Sequence, residues 1–237
     1  MLPRRRFLAP WSAAVFLGLA ACSATTDGDD TARGTDDSFS TGSVSCDEAP
    51  PVPSDAPSFT PVDLPAPTTS AAMTATIETN CGDITIEMEA SAAPQTVASF
   101  DFLATQGYWA DSPCHRLASG SIHVLQCGDP TGTGRGGPGY TFGLENAPDN
   151  DTYPRGTVAM ARTSDPDTNG GQFFFVTRES TINGDTGGYT IFGKVTGGMD
   201  VVDYVANEGI DGGGGDGVPS QPISILNVTV EEEASET

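Results

Sequence analysis

At 237 residues, with 32 acidic against 10 basic side chains and a formal net charge of −22, the chain is long enough for one or two domains and strongly acidic. Such a charge excludes the phosphate backbone of a nucleic acid and anionic lipid headgroups as electrostatic partners, and it favours solubility. It leaves the fold open.

The chain begins "MLPRRRFLAPWSAAVFLGLAAC". A basic start (Arg4, Arg5, Arg6), an apolar run and small residues before a cysteine read as an export signal over residues 1–21 rather than a fold element. Leu19 to Cys22 resembles the lipobox of bacterial lipoproteins, which makes Cys22 the expected lipid-bearing residue. The paired arginines also resemble a twin-arginine signal, so the export route stays open. No later stretch reaches the roughly 20 apolar residues that span a bilayer. The expectation is a protein outside the cytoplasm, anchored to the cell membrane through lipid on Cys22. Without the three signal arginines, 7 of the 10 basic residues face 32 acidic ones.

Residues 22–71 are rich in Thr, Asp, Ser, Gly and Pro, with too few large apolar side chains to offset chain entropy; they read as a disordered tether, stiffened in its Pro-rich second half. From residue 72 the pattern changes. "MTATIET" and "DITIEME" alternate apolar and polar residues about a turn at Asn80 to Asp83, as in a hairpin with one buried face. "SAAPQTVASFDFLATQG" then places Val97, Phe100, Leu103 and Ala104 on one helical face, with Pro94 suited to the first turn and Gly107 to the C-terminal cap. Short β-like runs follow between Gly-rich turns: "VLQC", "TVAMA", "QFFFVT", "YTIFGKV" and "ISILNVTVEE". A second helix, "GMDVVDYVANEG", carries Val201, Val202 and Val205 on one stripe. The sum is an all-β domain with two helices over residues 72–237, expected as a closed barrel.

Several motifs carry less than they suggest. "GTGRGG", Gly132 to Gly137, satisfies the dinucleotide pattern G-x-G-x-x-G, but no helix N-terminus follows to receive a pyrophosphate. "DPDTNG" begins like a calcium loop, yet Val176 stands where a bidentate Glu is required. In "CHRLASGSIHVLQCGD" Cys114, His115, His123 and Cys127 suggest zinc, but adjacent strand residues point to opposite faces, so at most three of the four converge. Neither His lies beside an obvious serine nucleophile, and a Cys-His pair on adjacent residues diverges. No metal and no cofactor is expected.

Taken together, His115-Arg116, Gln126-Cys127-Gly128-Asp129, Met160-Ala161, Asn169 to Phe174 and Phe192 to Val195, in that order after a hairpin and a helix, resemble the cyclophilins, a family of peptidyl-prolyl cis-trans isomerases. The resemblance covers about residues 73–232. It implies an eight-stranded antiparallel barrel closed by two helices, and proline-containing peptides and folding exported proteins as partners of a monomer. It also implies catalysis by Arg116 and Gln126. Phe174, Val124 and Ile182 would form the proline pocket, with His123 and Met160 beside it. Backbone groups of Ala161 and Arg162 would pair with the peptide, Gln172 would lie along it, and Tyr189 would sit at the rim.

The chain departs from the family in places. His123 and Val124 stand where an aromatic and a Met are usual, which implies a shallower, more polar pocket. "ASGS" lengthens the loop after Leu117, Arg162 replaces a common Asn, and the pocket Trp has no counterpart in "STINGDTGGY". These departures leave a second reading, a non-catalytic module that binds Pro-containing peptides or a partner protein. With Cys22 lipidated, Cys46, Cys81, Cys114 and Cys127 remain, an even number suited to disulfides in an oxidising compartment. A symmetric Cys114–Cys127 pairing would put Arg116 and Gln126 on opposite faces unless a bulge shifts the register, and Cys81 is an alternative partner for either. One domain disulfide is expected, its pairing open.

Overall fold

Residues 43–68, 72–182 and 187–232 are described by the structure, a computed structural model. The export signal and Cys22 lie outside the described residues. In chain order the strands are β1 (Met73–Thr79), β2 (Ile84–Met88), β3 (Ser112–Pro113), β4 (Arg116–Ser119), β5 (His123–Cys127), β6 (Thr152–Tyr153), β7 (Thr157–Met160), β8 (Phe173–Val176), β9 (Ser180–Thr181), β10 (Ile191–Gly197), β11 (Asp216–Gly217) and β12 (Ser224–Glu232). The α-helices are α1 (Pro94–Thr105) and α2 (Met199–Glu208). The predicted hairpin forms with Ile77 opposite Ile84. Helix α1 starts on Pro94 and buries Val97, Phe100, Leu103 and Ala104, while α2 buries Val201, Val202 and Val205.

Ten strands make one antiparallel sheet in the order β11-β4-β5-β8-β7-β10-β2-β1-β12-β3, and β6 pairs with β9 apart from it. The all-β fold with two helices is therefore as expected, whereas the hydrogen-bonded sheet differs from a closed eight-stranded barrel. Strands β3 and β4 stand near opposite ends of that order, yet only Cys114 and His115 separate them in the chain. The sheet curls until these ends face one another, and no ladder closes the seam among the described residues. A Cys114–Cys127 disulfide sits there instead.

Alternation along the strands divides two apolar clusters. Leu117, Leu125, Phe173, Phe175 and Phe192 belong to the inner core with Phe100 of α1 and Trp109. The Trp109 indole packs 4.5 Å from the Phe100 ring and donates a 3.0 Å hydrogen bond to the carbonyl of Gly171, satisfying its one polar atom while buried. Ala118, Val124, Ala159, Phe174, Val176 and Ile182 form a second cluster on the outer face.

The second half of the expected tether is part of the domain. A Cys46–Cys81 disulfide and a hydrogen bond from the Asp47 amide to the Asn80 carbonyl (2.8 Å) pin residues 43–68 to the β1–β2 turn. Further on, Phe59 packs against Phe102, Tyr108 and Tyr140, and its amide donates to the Pro138 carbonyl at 2.7 Å. Gly139 allows this approach: a Cβ there would lie 2.0 Å from the Phe59 carbonyl oxygen. The segment holds few apolar residues of its own, yet one aromatic with a prepared site, plus a covalent link, suffices to order it. We call this segment the strap.

Candidate active site

Strand register brings the site together. Arg116 lies opposite Gln126, Gln126 opposite Phe174, Phe174 opposite Ala159, and Ala159 opposite Ile191, so five strands contribute one row to the outer face. The neighbouring row holds Ala118, Val124 and Val176. Regular pairing begins at Arg116, while Cys114 turns away to donate its amide to the Ile223 carbonyl at 2.9 Å. This break absorbs the one-residue offset, so the Cys114–Cys127 disulfide coexists with Arg116 and Gln126 on one face. It also removes both thiols from any zinc or nucleophile chemistry.

Arg116 is held on two sides. Its Nη1 donates to Gln126 Oε1 at 3.0 Å, and its Nε and Nη2 donate to the two carboxylate oxygens of Asp216 at 2.8 and 2.6 Å. Because a guanidinium only donates, Gln126 must turn its oxygen toward it. Gln126 Nε2 then donates to Gln172 Oε1 (2.9 Å), and Gln172 Nε2 to the Gly136 carbonyl (2.8 Å). The chain of amides fixes every orientation along it. Donating to the Asp216 carboxylate raises the Arg116 pKa against the opposing effect of burial, and accepting those bonds lowers the pKa of Asp216.

Below this charged edge lies a cavity of about 500 Å³. Val124, Phe174, Ile182, Ile122 and Ala161 give it an apolar floor and walls. Tyr189 stands at the rim, its amide donating to the Tyr153 hydroxyl at 2.8 Å and its ring lying 4.9 Å beneath the Arg162 guanidinium. Arg162 donates to the carbonyls of Gly188 and Thr163, which ties the rim to the segment following Met160. The cavity continues past Gln126 into a second of about 470 Å³ lined by Gly136, Pro138, Tyr140, Arg162 and Gln172.

The far wall is the loop from Asp129 to Gly136. The Asp129 carboxylate, itself fully buried, accepts from the Thr131 amide (2.8 Å), Thr131 Oγ1 (2.7 Å), Thr133 Oγ1 (3.3 Å) and the Gly136 amide (3.0 Å). Burial works to raise its pKa, but these donors outweigh it and hold the group below the ordinary carboxylate value. The glycines of "GTGRGG" serve this cage: a Cβ on Gly136 would lie 2.1 Å from Asp129 Oδ1.

Of the residues singled out in the sequence, Arg116, Gln126, Val124, Phe174, Ala161, Arg162, Ile182 and Tyr189 line the first cavity, and Gln172 the second. The Ala161 amide is already committed to the Gln172 carbonyl at 2.9 Å. Two residues belong elsewhere. Met160 alternates with Ala159 and enters the inner core. His123 alternates with Val124, points away from the cavity and lines a separate depression with Arg178 and Asp203. His123 therefore adds no polarity to the cavity, whose floor is apolar. Asp216, Ile122, Thr133 and Val218 were missed. Asp216 lies 100 residues from Arg116 in a Gly-rich run, and no local pattern signals it.

The profile of a family described as "Cyclophilin type peptidyl-prolyl cis-trans isomerase/CLD" matches residues 74–230. The chain is 41% identical over 199 residues to the probable peptidyl-prolyl cis-trans isomerase B of Mycobacterium tuberculosis, a match covering 77% of this chain and 63% of that protein. Peptidyl-prolyl cis-trans isomerase B of Bacillus subtilis is 40% identical over 125 residues, covering 52% of this chain and 83% of that one. A crystal structure of a Cryptosporidium parvum cyclophilin type isomerase superposes with a TM-score of 0.58 at 29% identity, covering 69% of this chain and 99% of the other. The same protein in the presence of the dipeptide Ala-Pro gives 0.57 at 30% identity, with 68% and 99% covered. From the fold, the outer-face row of strands and these likenesses together, the chain belongs to the cyclophilin-type peptidyl-prolyl cis-trans isomerase family.

Proposed function

We propose that the protein is a peptidyl-prolyl cis-trans isomerase that acts on X-Pro bonds of exported proteins. The observation that carries this reading is the Arg116 guanidinium, fixed by Gln126 and Asp216 at the edge of a cavity floored by Val124, Phe174 and Ile182. An X-Pro bond isomerises over a barrier of about 20 kcal/mol because rotation breaks amide resonance. No covalent bond need break, so no nucleophile, metal or proton relay is required. An apolar pocket grips the ring, and a donor near the imide nitrogen favours its pyramidal form in the transition state over the planar ground state. Arg116 is that donor. Gln126 orients it and holds one flank of the peptide, and Gln172 supports Gln126.

An assay of Ala-Pro peptide isomerisation by exchange NMR with the full chain tests the reading. Acceleration that falls about 10²–10³-fold in Arg116→Ala is expected. No acceleration, or equal acceleration by the variant, overturns it. One observation favours the second reading, a binding module without turnover: Asp216 occupies two of the donors of Arg116. Binding of Ala-Pro peptides without acceleration would establish that alternative.

A monomer is the expected state, and sedimentation measures this. Localisation rests on the sequence of residues 1–22 alone. We place the protein outside the cytoplasm, held by lipid on Cys22, and a Cys22→Ser variant still found in the membrane fraction would refute the anchor.

A further inference from the structure

We propose that an apolar cavity between the strap and the domain is an accessory subsite for a large apolar side chain flanking the proline of a client polypeptide. The inference rests on the peptide-binding reading above. The cavity, about 320 Å³, is bounded by Pro50 and Val52 of the strap and by Pro113, Val218 and Ile223 of the domain. This lies at the small end of ligand cavities, roughly 300–1,000 Å³. Its strap wall precedes residue 74, where the family match begins, so the family's shared core does not supply it.

Three observations select the occupant. First, the cavity adjoins the Arg116 cavity, the two sharing His115 and Val218 as a common wall, so a peptide seated in one lies within a side chain's reach of the other. Second, no Asp, Glu, Lys or Arg lines it, in a protein with 32 acidic residues. Val52 and Val218, 50% and 59% exposed, are two of the four large exposed hydrophobics among the described residues, and both face this one concavity. Third, the wall shared by the two cavities adds no charge. Both His115 ring nitrogens are buried with no hydrogen-bond partner, and burial pushes the imidazole toward its neutral form.

The subsite is also preformed. The Cys46–Cys81 disulfide holds the strap on one side of Pro50 and Val52, and the Phe59 contacts hold it on the other. A client side chain entering here therefore orders little that is not already ordered.

The test uses the full chain with three substrates: a short Ala-Pro tetrapeptide and two longer peptides around the same dipeptide, one with Leu-containing and one with Ser-containing flanks. The Leu-flanked peptide is expected to exceed the Ser-flanked one in kcat/KM by about tenfold, chiefly through KM, as partial burial of one Leu side chain implies. Val52→Asp abolishes that preference while turnover of the tetrapeptide stays within about twofold, because a half-exposed strap side chain outside the Arg116 cavity is changed. Val52→Ser serves the same purpose if the aspartate disturbs the strap.

Equal rates with the two flanks, or a preference that survives both variants, overturn the subsite. So does occupation of the cavity by a second copy of the chain, read as a dimer in sedimentation that Val52→Asp dissociates. If no peptide is accelerated, the isomerase reading fails separately, and calorimetric affinity for the Leu-flanked peptide, lost in Val52→Asp, still decides the subsite.

Discussion

Arg116 and Asp216 meet edge to edge, Nε and Nη2 of the guanidinium against both oxygens of the carboxylate at 2.8 and 2.6 Å, across 100 residues of chain. The two side chains are 37% and 53% exposed, so their attraction adds only about 0–1 kcal/mol to stability. What the pair supplies is direction. With Asp216 on one edge and Gln126 on Nη1, the plane of the fork is set before substrate arrives. Asp216→Ala is expected to lower kcat by about tenfold with KM nearly unchanged, because the apolar floor is untouched. Asp216→Asn, which keeps one acceptor, falls between. In an Arg116→Ala background neither change has a further effect, and peptide turnover in the double variants measures this.

The amide relay predicts an ordered series. Gln126→Ala removes the acceptor for Arg116 Nη1 and the donor for Gln172 together, and costs about 10- to 100-fold in kcat. Gln126→Glu keeps the acceptor but places a carboxylate oxygen against Gln172 Oε1 until that amide flips, which breaks its bond to the Gly136 carbonyl. Its loss should be smaller, and Gln172→Ala smaller again. Steady-state kinetics with one Ala-Pro peptide ranks the three.

Reduction separates two effects. The Cys46–Cys81 bond closes a span of 35 residues and Cys114–Cys127 one of 13, so chain entropy in the unfolded state assigns each about 2–4 kcal/mol, the longer loop the more. Cys46→Ser with Cys81→Ser should lower Tm and expose the strap to limited proteolysis while the Ala-Pro tetrapeptide is still turned over. Cys114→Ser with Cys127→Ser should lower Tm and also slow turnover, since that bond borders the start of β4, which carries Arg116.

Acid should act in two windows. Burial depresses the His115 pKa below 6.5, Asp129 opposing and Arg116 reinforcing. The unfolded chain then binds the extra proton first, so stability falls as pH drops through 6.5 toward the lower folded value. Asp129 is depressed below 3.8, so the stability it contributes is complete above 3.8 and is lost as pH falls through its folded value. Denaturant titrations across pH should give a decline that sets in as pH falls through 6.5 and that His115→Phe removes. The steeper decline below pH 4 should be removed by Asp129→Asn, at the cost of a lower plateau at neutral pH.

Period and punctuation determined which elements exist. The alternation of "MTATIET" and "DITIEME" gave the β1–β2 hairpin, Pro94 and the apolar stripe gave α1, and the ordered motifs brought Arg116, Gln126 and Phe174 to one face. These signals act over a few residues, where backbone sterics and side-chain spacing decide the outcome. The same alternation could have excluded His123 and Met160, which neighbour Val124 and Ala159 on the opposite face.

Pairings distant in sequence belong to the tertiary structure alone. The break at Cys114, which reconciles the disulfide with the site, depends on a hydrogen bond to Ile223. The carboxylate partner of Arg116, Asp216, comes from β11 in a glycine-rich run 100 residues away. The strap, poor in apolar residues of its own, is ordered by a cysteine and a phenylalanine whose partners lie elsewhere. Composition measures what a segment can bury within itself; only the assembled surface determines what it can be buried against.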